Sequence, residues 1–498
     1  MSERAALKAM AITGGTQVVS VALSILRAKA LAVLLGPAGI GLLSVFQTLQ
    51  SVVQTGAGLG LGASGVREIA ATRGDPEAVA RVRRVLLWAH LLQGGLTGLA
   101  VWLWREPLAV WLLGDATWAR DVGLVGVAVV TMLLGNAQMA VLRGFRRIAD
   151  LGRVTVISAL TATAAILPLA WWLGTAGLIW VVLLQPLATA LAALWFLRRL
   201  PRPAEAPLGP ARAWAAWRSM AGLGLGFMLS ALATAAVLLV VRGRIAGELG
   251  LDAAGQFAAA WSIAMTYVGF LLSAMAADYY PRLSETIADR PAAHRMMNAQ
   301  LQLSLALGGP ILLALIGLAP WAIRLLYSDA FAPAAAMLQW QTVGNVLKLA
   351  AWPLGFALVA AARGRWFLIS QLSFNAAFLG LVWIGLPVLG LQAVGPAFLL
   401  GYLVYFAAEA TLARRLQGFR WEPLSRRLLL LHGGLAAGLL ALARAAPVPA
   451  AALAAALAAA TAVLGLRVVL AAIGPAGRLP SRLHAAFARI GWPVGPAP

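Results

Sequence analysis

The sequence predicts an all-α integral membrane fold: two six-helix lobes related by a pseudo-twofold axis along the membrane normal, plus an extra C-terminal helix pair. Three observations carry this. Hydrophobic residues make up 61% of the chain and charged residues 11%, with a mean hydropathy of +0.85, and a soluble protein keeps a far more polar skin than that. Apolar runs of the roughly 20 residues needed to cross a bilayer recur along the whole length. The basic residues between those runs fall on alternate connections, as they do when one side of a membrane is the cytoplasm.

Taken in order, spans are expected near 11–35, 39–62, 84–104, 120–142, 154–173, 176–197, 214–241, 253–277, 300–326, 334–361, 366–389, 391–413, 428–444 and 448–472. The first is read as an uncleaved span, because it is too long for a signal segment and no small-residue cleavage site follows it. With the N-terminus inside, the inner connections collect Arg67, Arg73, Arg81, Arg83 and Arg84, then Arg143, Arg146, Arg147 and Arg153, then Arg198, Arg199, Arg202, Arg212 and Arg218. The outer ones hold Arg105, Arg120, Arg242, Arg244, Arg324 and Arg444. That split, with an even number of spans, predicts both termini on the inner side of a bacterial inner membrane.

An internal repeat supplies the lobes. Leu35-Gly36-Pro37-Ala38-Gly39 opens span two and Leu251-Asp252-Ala253-Ala254-Gly255 opens span eight. Arg143-Gly144-Phe145-Arg146 and Arg363-Gly364-Arg365-Trp366 are read as closing spans four and ten, an offset of about 216 to 220 positions. The expected division is an N-terminal lobe over 1–198, a Pro-rich cytoplasmic linker over 199–213, a C-terminal lobe over 214–413, and a final loop, helix pair and tail over 414–498. Parallel repeats of this kind place a binding site between the lobes.

Several chemistries are excluded or disfavoured. The chain has no Cys, hence no thiol nucleophile or thiolate metal site. Its four His residues are far apart in sequence, and neither a metal site nor a cofactor is expected. The net charge of +22 marks the inner face rather than nucleic-acid binding, since no basic run is interleaved with aromatics. Gly58-Leu59-Gly60-Leu61-Gly62 and Gly222-Leu223-Gly224-Leu225-Gly226 lack the strand and acid of a nucleotide loop and are read as close helix packing. A membrane enzyme such as a glycan polymerase or glycosyltransferase would be expected to show acidic pairs or a large outer loop; neither is visible, and a transporter is the expectation.

Ionisable groups at bilayer depth cost at least about 2.5–3.5 kcal/mol, so each is a functional candidate. Arg27, Lys29 and Lys348 qualify. Arg27 continues a stripe of Thr13, Gln17, Ser20 and Ser24, while Lys29 lies nearer the outer end, where its side chain could also reach the interface. Gln341, Asn345 and Lys348 share one helix face, as do Gln371 and Asn375. Span two shows Ser44, Gln47, Thr48, Ser51, Gln54 and Thr55. The expected substrate-binding set is therefore Arg27, Lys29, Lys348, Gln47, Ser51, Gln54, Asn345, Gln371 and Asn375, although interhelical hydrogen bonding explains any single amide equally well. Acids are expected only at span ends (Asp278, Glu409), so the cavity suits a hydroxyl-rich anion rather than an organic cation.

The run from Arg27 through Gly36-Pro37-Ala38-Gly39-Ile40-Gly41, followed by Gly58 to Ala70 with Ser64, Gly65, Arg67 and Glu68, resembles the start of the O-antigen translocases. These are lipid-linked oligosaccharide flippases of the multidrug/oligosaccharidyl-lipid/polysaccharide exporter superfamily. The resemblance is sharpest over the first 70 residues, and the two-lobe plan extends it to about residue 413; twelve spans are usual there, so the last pair departs from it. It implies an undecaprenyl-pyrophosphate-linked oligosaccharide moved from the cytoplasmic to the periplasmic leaflet by alternating access. Arg27 and Lys348 would hold the pyrophosphate, the amide stripes the sugars, and a glycan polymerase of the same pathway is a conceivable partner. A multidrug antiporter of the same superfamily is the alternative.

Overall fold

The computed structural model describes residues 3–200 and 209–494, with the side chains of 3–14, 17–18, 223–227 and 478 left aside. Thr13 and Gln17 of the first polar stripe, most of the second glycine run, and linker residues 201–208 therefore lie outside the described set. Fifteen α-helices are present among the described residues: α1 (Glu3–Gly58), α2 (Leu61–Ala71), α3 (Pro76–Leu103), α4 (Arg105–Leu113), α5 (Ala119–Gly144), α6 (Ile148–Leu173), α7 (Leu178–Leu197), α8 (Pro210–Thr286), α9 (Arg290–Leu326), α10 (Ala334–Ala360), α11 (Gly364–Leu389), α12 (Val394–Gln417), α13 (Pro423–Ala445), α14 (Pro447–Ile473) and α15 (Arg478–Arg489).

Local chemistry explains the boundaries. Asp75 caps α3 by accepting from the Glu77 and Ala78 amides at 2.9 and 3.0 Å, and Pro76 follows at the first helical position, where its missing N–H costs nothing. Prolines likewise open α13 and α14. Ten stretches are long and apolar enough to cross a membrane. Four of them run from 40 to 59 residues, up to about three times what one crossing requires, and each is interrupted. The breaks come at Gly36 (φ 63°) in α1, at Gly174 (φ 58°) between α6 and α7, at Gly250 (φ 87°) in α8 and at Gly390 (φ 57°) between α11 and α12. A side chain with a Cβ resists these left-handed conformations. Val388 and Leu430 keep 79% and 74% of their surface exposed, which only a lipid surround makes tolerable. The chain is a multi-pass membrane protein.

The breaks recur with a period. Gly36 and Gly250 are 214 positions apart, Gly174 and Gly390 are 216 apart, and the left-handed pair Arg146 (φ 55°) and Ala362 (φ 54°) are also 216 apart. Both expected motif matches are out of register: the first aligns Gly36 with Asp252, whereas the break recurs two residues earlier, at Gly250. Arg143-Gly144 ends α5, whereas Arg363-Gly364 begins α11, because α10 has already stopped at Ala360. The backbone pairs Arg146 with Ala362, and the four-residue motif similarity is incidental.

By proximity the chain divides into two compact units, residues 1–258 with 326–330, and residues 259–325 with 331–498. In the first, α3 and α5 cross at Gly98 and Gly126. A Cβ on Gly126 would stand 2.6 Å from the Gly98 carbonyl oxygen, the close small-residue contact on which membrane helices rely in place of hydrophobic driving force. A second crossing brings the 37–58 half of α1 against α8. There Gly41 abuts the Leu251 carbonyl and Gly255 abuts the Pro37 carbonyl. Residues 37 and 251, and 41 and 255, are both separated by 214 positions, so the two contacts exchange under the same offset that relates the backbone breaks.

In the second unit, α13 and α14 are woven into the core rather than appended to it. Leu428, Ala436, Leu439, Leu440 and Ala454 share one apolar cluster with Leu305, Leu312 and Leu349. His432 lies on Gly309, where a Cβ would collide with its ring. Asn298 is fully buried; its Oδ1 accepts from the Ser425 hydroxyl at 2.8 Å and the Glu422 amide at 3.1 Å. Gln302 donates to both of those side chains at 3.0 Å.

Candidate functional site

The first unit contains a cavity of about 640 Å3, within the usual range for ligand pockets. Its floor is the first glycine run. α1 stops at Gly58, Leu59 and Gly60 adopt left-handed conformations (φ 44° and 70°), and α2 sets off from Leu61 in a new direction. A left-handed leucine is costly and marks a position the surroundings hold in place. Gly58, Gly60 and Gly62 all line the cavity. The run is thus a turn that lines the cavity, and the close packing expected of it is not found: a Cβ on Gly58 would meet only Leu133, at 3.7 Å, and one on Gly62 nothing within 4 Å.

The walls are polar and basic. Gln54 and Thr55 project from α1, Ser64 and Arg67 from α2, His90 from α3, and Asn136 and Arg143 from α5. None of the lining residues is acidic. His90 is only 1% exposed and its Nδ1 meets the Leu86 carbonyl at 2.7 Å. A carbonyl can only accept, so Nδ1 carries the proton and Nε2 is left as the acceptor nitrogen. Two guanidiniums with five N–H donors each, flanked by amides and hydroxyls, are the donor set that a phosphate-bearing, hydroxyl-rich ligand requires.

The residues singled out from the sequence are distributed over several places. Gln54 lines this cavity, and Gln47 and Ser51 are exposed on the same half of α1, where polar groups on a membrane helix need water or a ligand. Arg27 donates to the Gln185 side chain of α7. Arg27 is not among the residues that line the cavity with Gln54, so the structure does not bring the two together there. Lys29 is half-buried on α1. In the second unit, the Lys348 ammonium lies 3.4 Å from the Met265 sulfur and 5.5 Å from the centre of the Tyr402 ring. Asn345 donates to the Ala264 carbonyl at 2.9 Å. It is fully buried, as Asn375 is at 3% exposure, whereas Gln371 is half-exposed. The structure thus places Asn345 and Asn375 inside the helix packing, not on an open wall.

Two groups fall where the sequence did not suggest. Arg242 was assigned to an outer connection, but α8 continues unbroken to Gly250 and carries it inside. It is 9% exposed and donates to the Ser44 carbonyl at 2.8 Å and to the Thr48 hydroxyl, pinning α8 to α1. Glu409, assigned to the interface at a span end, is completely buried, so the expectation of no acid within a lobe is corrected. Neither residue carried a local signal: helix continuity and neighbouring packing decide both.

A profile of the polysaccharide biosynthesis protein family matches residues 30–336. The chain belongs to that family. The "Lipid III flippase" of Escherichia coli (strain K12) is 26% identical to it over 408 residues, covering 80% of this chain and 96% of that one. Among solved structures, this polysaccharide biosynthesis protein superposes on the "Lipid II flippase MurJ, inward closed conformation" with a TM-score of 0.67, at 11% identity over 91% of this chain and 98% of that one. It also superposes on the inward-facing conformation of a multidrug resistance MATE family transporter with a TM-score of 0.66, at 17% identity over 80% and 98%. At such identities the likeness is one of fold.

Proposed function

We propose that this protein flips a lipid-linked glycan across the inner membrane, and that the ligand is a polyprenyl-pyrophosphate-linked oligosaccharide of the O-antigen type. The supporting observation is the acid-free cavity lined by Arg67, Arg143, His90 and Gln54, in a chain alignable over four-fifths of its length with a lipid III flippase. In this reading the repeat at 214–216 positions relates two parallel lobes, the four interrupted stretches are eight crossings, and fourteen spans run N-in and C-in. The inner Arg67 and Arg143 first receive the pyrophosphate. Arg27, nearer the outer side in this reading, takes it over in the next state of an alternating-access cycle. Gln47, Ser51 and Gln54 offer partners to the sugars, and Lys348 with Gln371 does the same in the second unit. Asn345 and Asn375 support that second site from within the packing.

The fold is shared with multidrug transporters, so the antiporter reading is the one to separate. An organic cation would face two arginines and no carboxylate in this cavity, an arrangement that repels it. Deleting the gene is expected to leave lipid-linked glycan on the cytoplasmic leaflet without sensitising cells to cationic drugs; the reverse phenotype would favour the antiporter. Arg27→Ala and Lys348→Ala are each expected to reduce export to the level of the deletion while the protein stays inserted, measured by surface glycan and membrane immunoblot. Normal surface glycan in both would remove these two residues from the site.

A further inference from the structure

Glu409 lies in α12, about 12 Å from that helix's end at 1.5 Å per residue, and none of its surface is exposed. Its Oε1 accepts from the Ser370 hydroxyl of α11 at 2.8 Å, and the Tyr405 hydroxyl, one turn earlier, also donates to it. Its Oε2 has no hydrogen-bond partner. From α10, Gly355 leaves the carboxyl its room: a Cβ there would stand 2.8 Å from Oε1 and 3.3 Å from the Tyr405 hydroxyl.

The charged and titratable side chains on the three packed helices are few. α10 brings Lys348, occupied with Met265 and Tyr402. α11 brings Arg365, stacked on Trp366. α12 itself brings Tyr402, Tyr405, Arg414 and Arg415. Only Tyr405 touches the carboxyl, and no ion pair among the described residues includes Glu409. An ionised carboxylate sealed in without a cation is costly by several kcal/mol, so the group must have a reason to be there.

The Ser370 hydroxyl supplies one. It has a single proton and two acceptors at 2.8 Å, the Phe367 carbonyl and Glu409 Oε1. When Glu409 is ionised, Ser370 donates to it. When Glu409 is protonated on Oε1, the carboxyl donates to Ser370 Oγ and the serine turns its proton to the Phe367 carbonyl. The Ser370–Glu409 contact is kept in both states, with the serine as donor in one and acceptor in the other. A metal cation would instead need several oxygen lone pairs converging on it. The hydroxyls here are spent as donors, and no group of three ligating side chains occurs among the described residues.

We propose that Glu409 is the proton-binding site that drives translocation. It is protonated while α10, α11 and α12 are packed as seen here. It gives its proton to water as hydronium, becoming carboxylate, when those helices part and hydrate it. Uptake on the outer side and release on the inner side would couple proton entry to glycan export. This rests on the flippase reading, and the two are tested separately.

The full chain in proteoliposomes, titrated from acid to alkaline pH, is expected to show a protonated-carboxyl infrared band that disappears on ionisation. The band is absent in Glu409→Gln and moves to higher frequency in Ser370→Ala, which removes the hydroxyl oxygen that accepts the carboxyl proton. Translocation is then read with a short-chain polyprenyl-pyrophosphate disaccharide under a pH gradient. For one proton per cycle, the leaflet distribution at steady state should reach about tenfold per pH unit, falling to one-to-one in Glu409→Gln. A gradient response retained in Glu409→Gln, or a distribution set by sodium rather than protons, overturns the proposal. So does the lack of any titrating band in the wild-type protein. If Glu409→Gln does not fold, Tyr405→Phe keeps the carboxyl while removing one donor, and it must alter the band. A titrating band without translocation of the probe would instead sink the flippase reading and leave the proton site standing.

Discussion

Gly255→Leu is expected to abolish export and to lower the melting temperature of the detergent-solubilised protein by several degrees. A Cβ at this position would overlap the Pro37 carbonyl oxygen and stand 2.6 Å from its carbon. The obstacle is backbone, which cannot rotate aside as a side chain can. Overpacking a core costs about 1–3 kcal/mol when side chains yield. Here α1 and α8 must separate, so the cost is at or above the top of that range. Gly41→Leu should behave alike, because its Cβ would overlap the Leu251 carbonyl oxygen and approach the Gly255 nitrogen to 2.8 Å. Gly269→Ala is the control, since its Cβ meets nothing within 4 Å. Lost export with an unchanged melting temperature would make the crossing a moving part rather than a structural one. Wild-type behaviour in both assays would mean that the helices do not cross this closely in the working protein.

The membrane class was legible in the sequence because composition and hydropathy are properties of long segments, insensitive to detail. Each expected span falls on one of the helices for the same reason, although α3, α9 and both halves of α8 run eight to ten residues past the expected bounds. The repeat was legible only approximately: Gly36 signalled its break through Gly-Pro, but the register of the second repeat hung on a four-residue motif. One of the three periodic pairs, the left-handed Arg146 and Ala362, shares no residue type. Site residues were harder. Alternation of charge assigns a basic residue to a side of the membrane but is blind to whether it also faces a cavity, so Arg67 and Arg143 were counted as topology signals alone. Arg242 shows the opposite failure. A charge after an apolar run reads as the end of a span, yet the Ser44 carbonyl and Thr48 hydroxyl let the helix carry it inward. Glu409 was assigned correctly along the chain and wrongly in burial, which depends on Ser370 and Gly355, 39 and 54 positions away in sequence.

Replacing both Arg67 and Arg143 by Glu is expected to cut export by about a hundredfold or more. Each guanidinium can make a bidentate contact with the pyrophosphate, and a hydrogen bond to a charged group contributes about 1.5–3 kcal/mol. Both arginines still reach solvent, so the lower end of that range applies, and two contacts give about 3 kcal/mol, or two powers of ten. Glutamate adds repulsion to the loss. Because charge at the inner face also orients helices, the comparison that isolates the cavity is Arg81→Gln with Arg153→Gln against Arg67→Gln with Arg143→Gln. Both pairs remove two positive charges from the same two stretches of chain, 67–84 and 143–153, but only the second lines the cavity, and only the second should accumulate lipid-linked glycan. Arg67→Lys with Arg143→Lys preserves the charge while losing the planar fork, so partial export is expected. Equal export by the two glutamine pairs would leave the cavity without its role as the entry site. Full export by the lysine pair would reduce that role to charge alone.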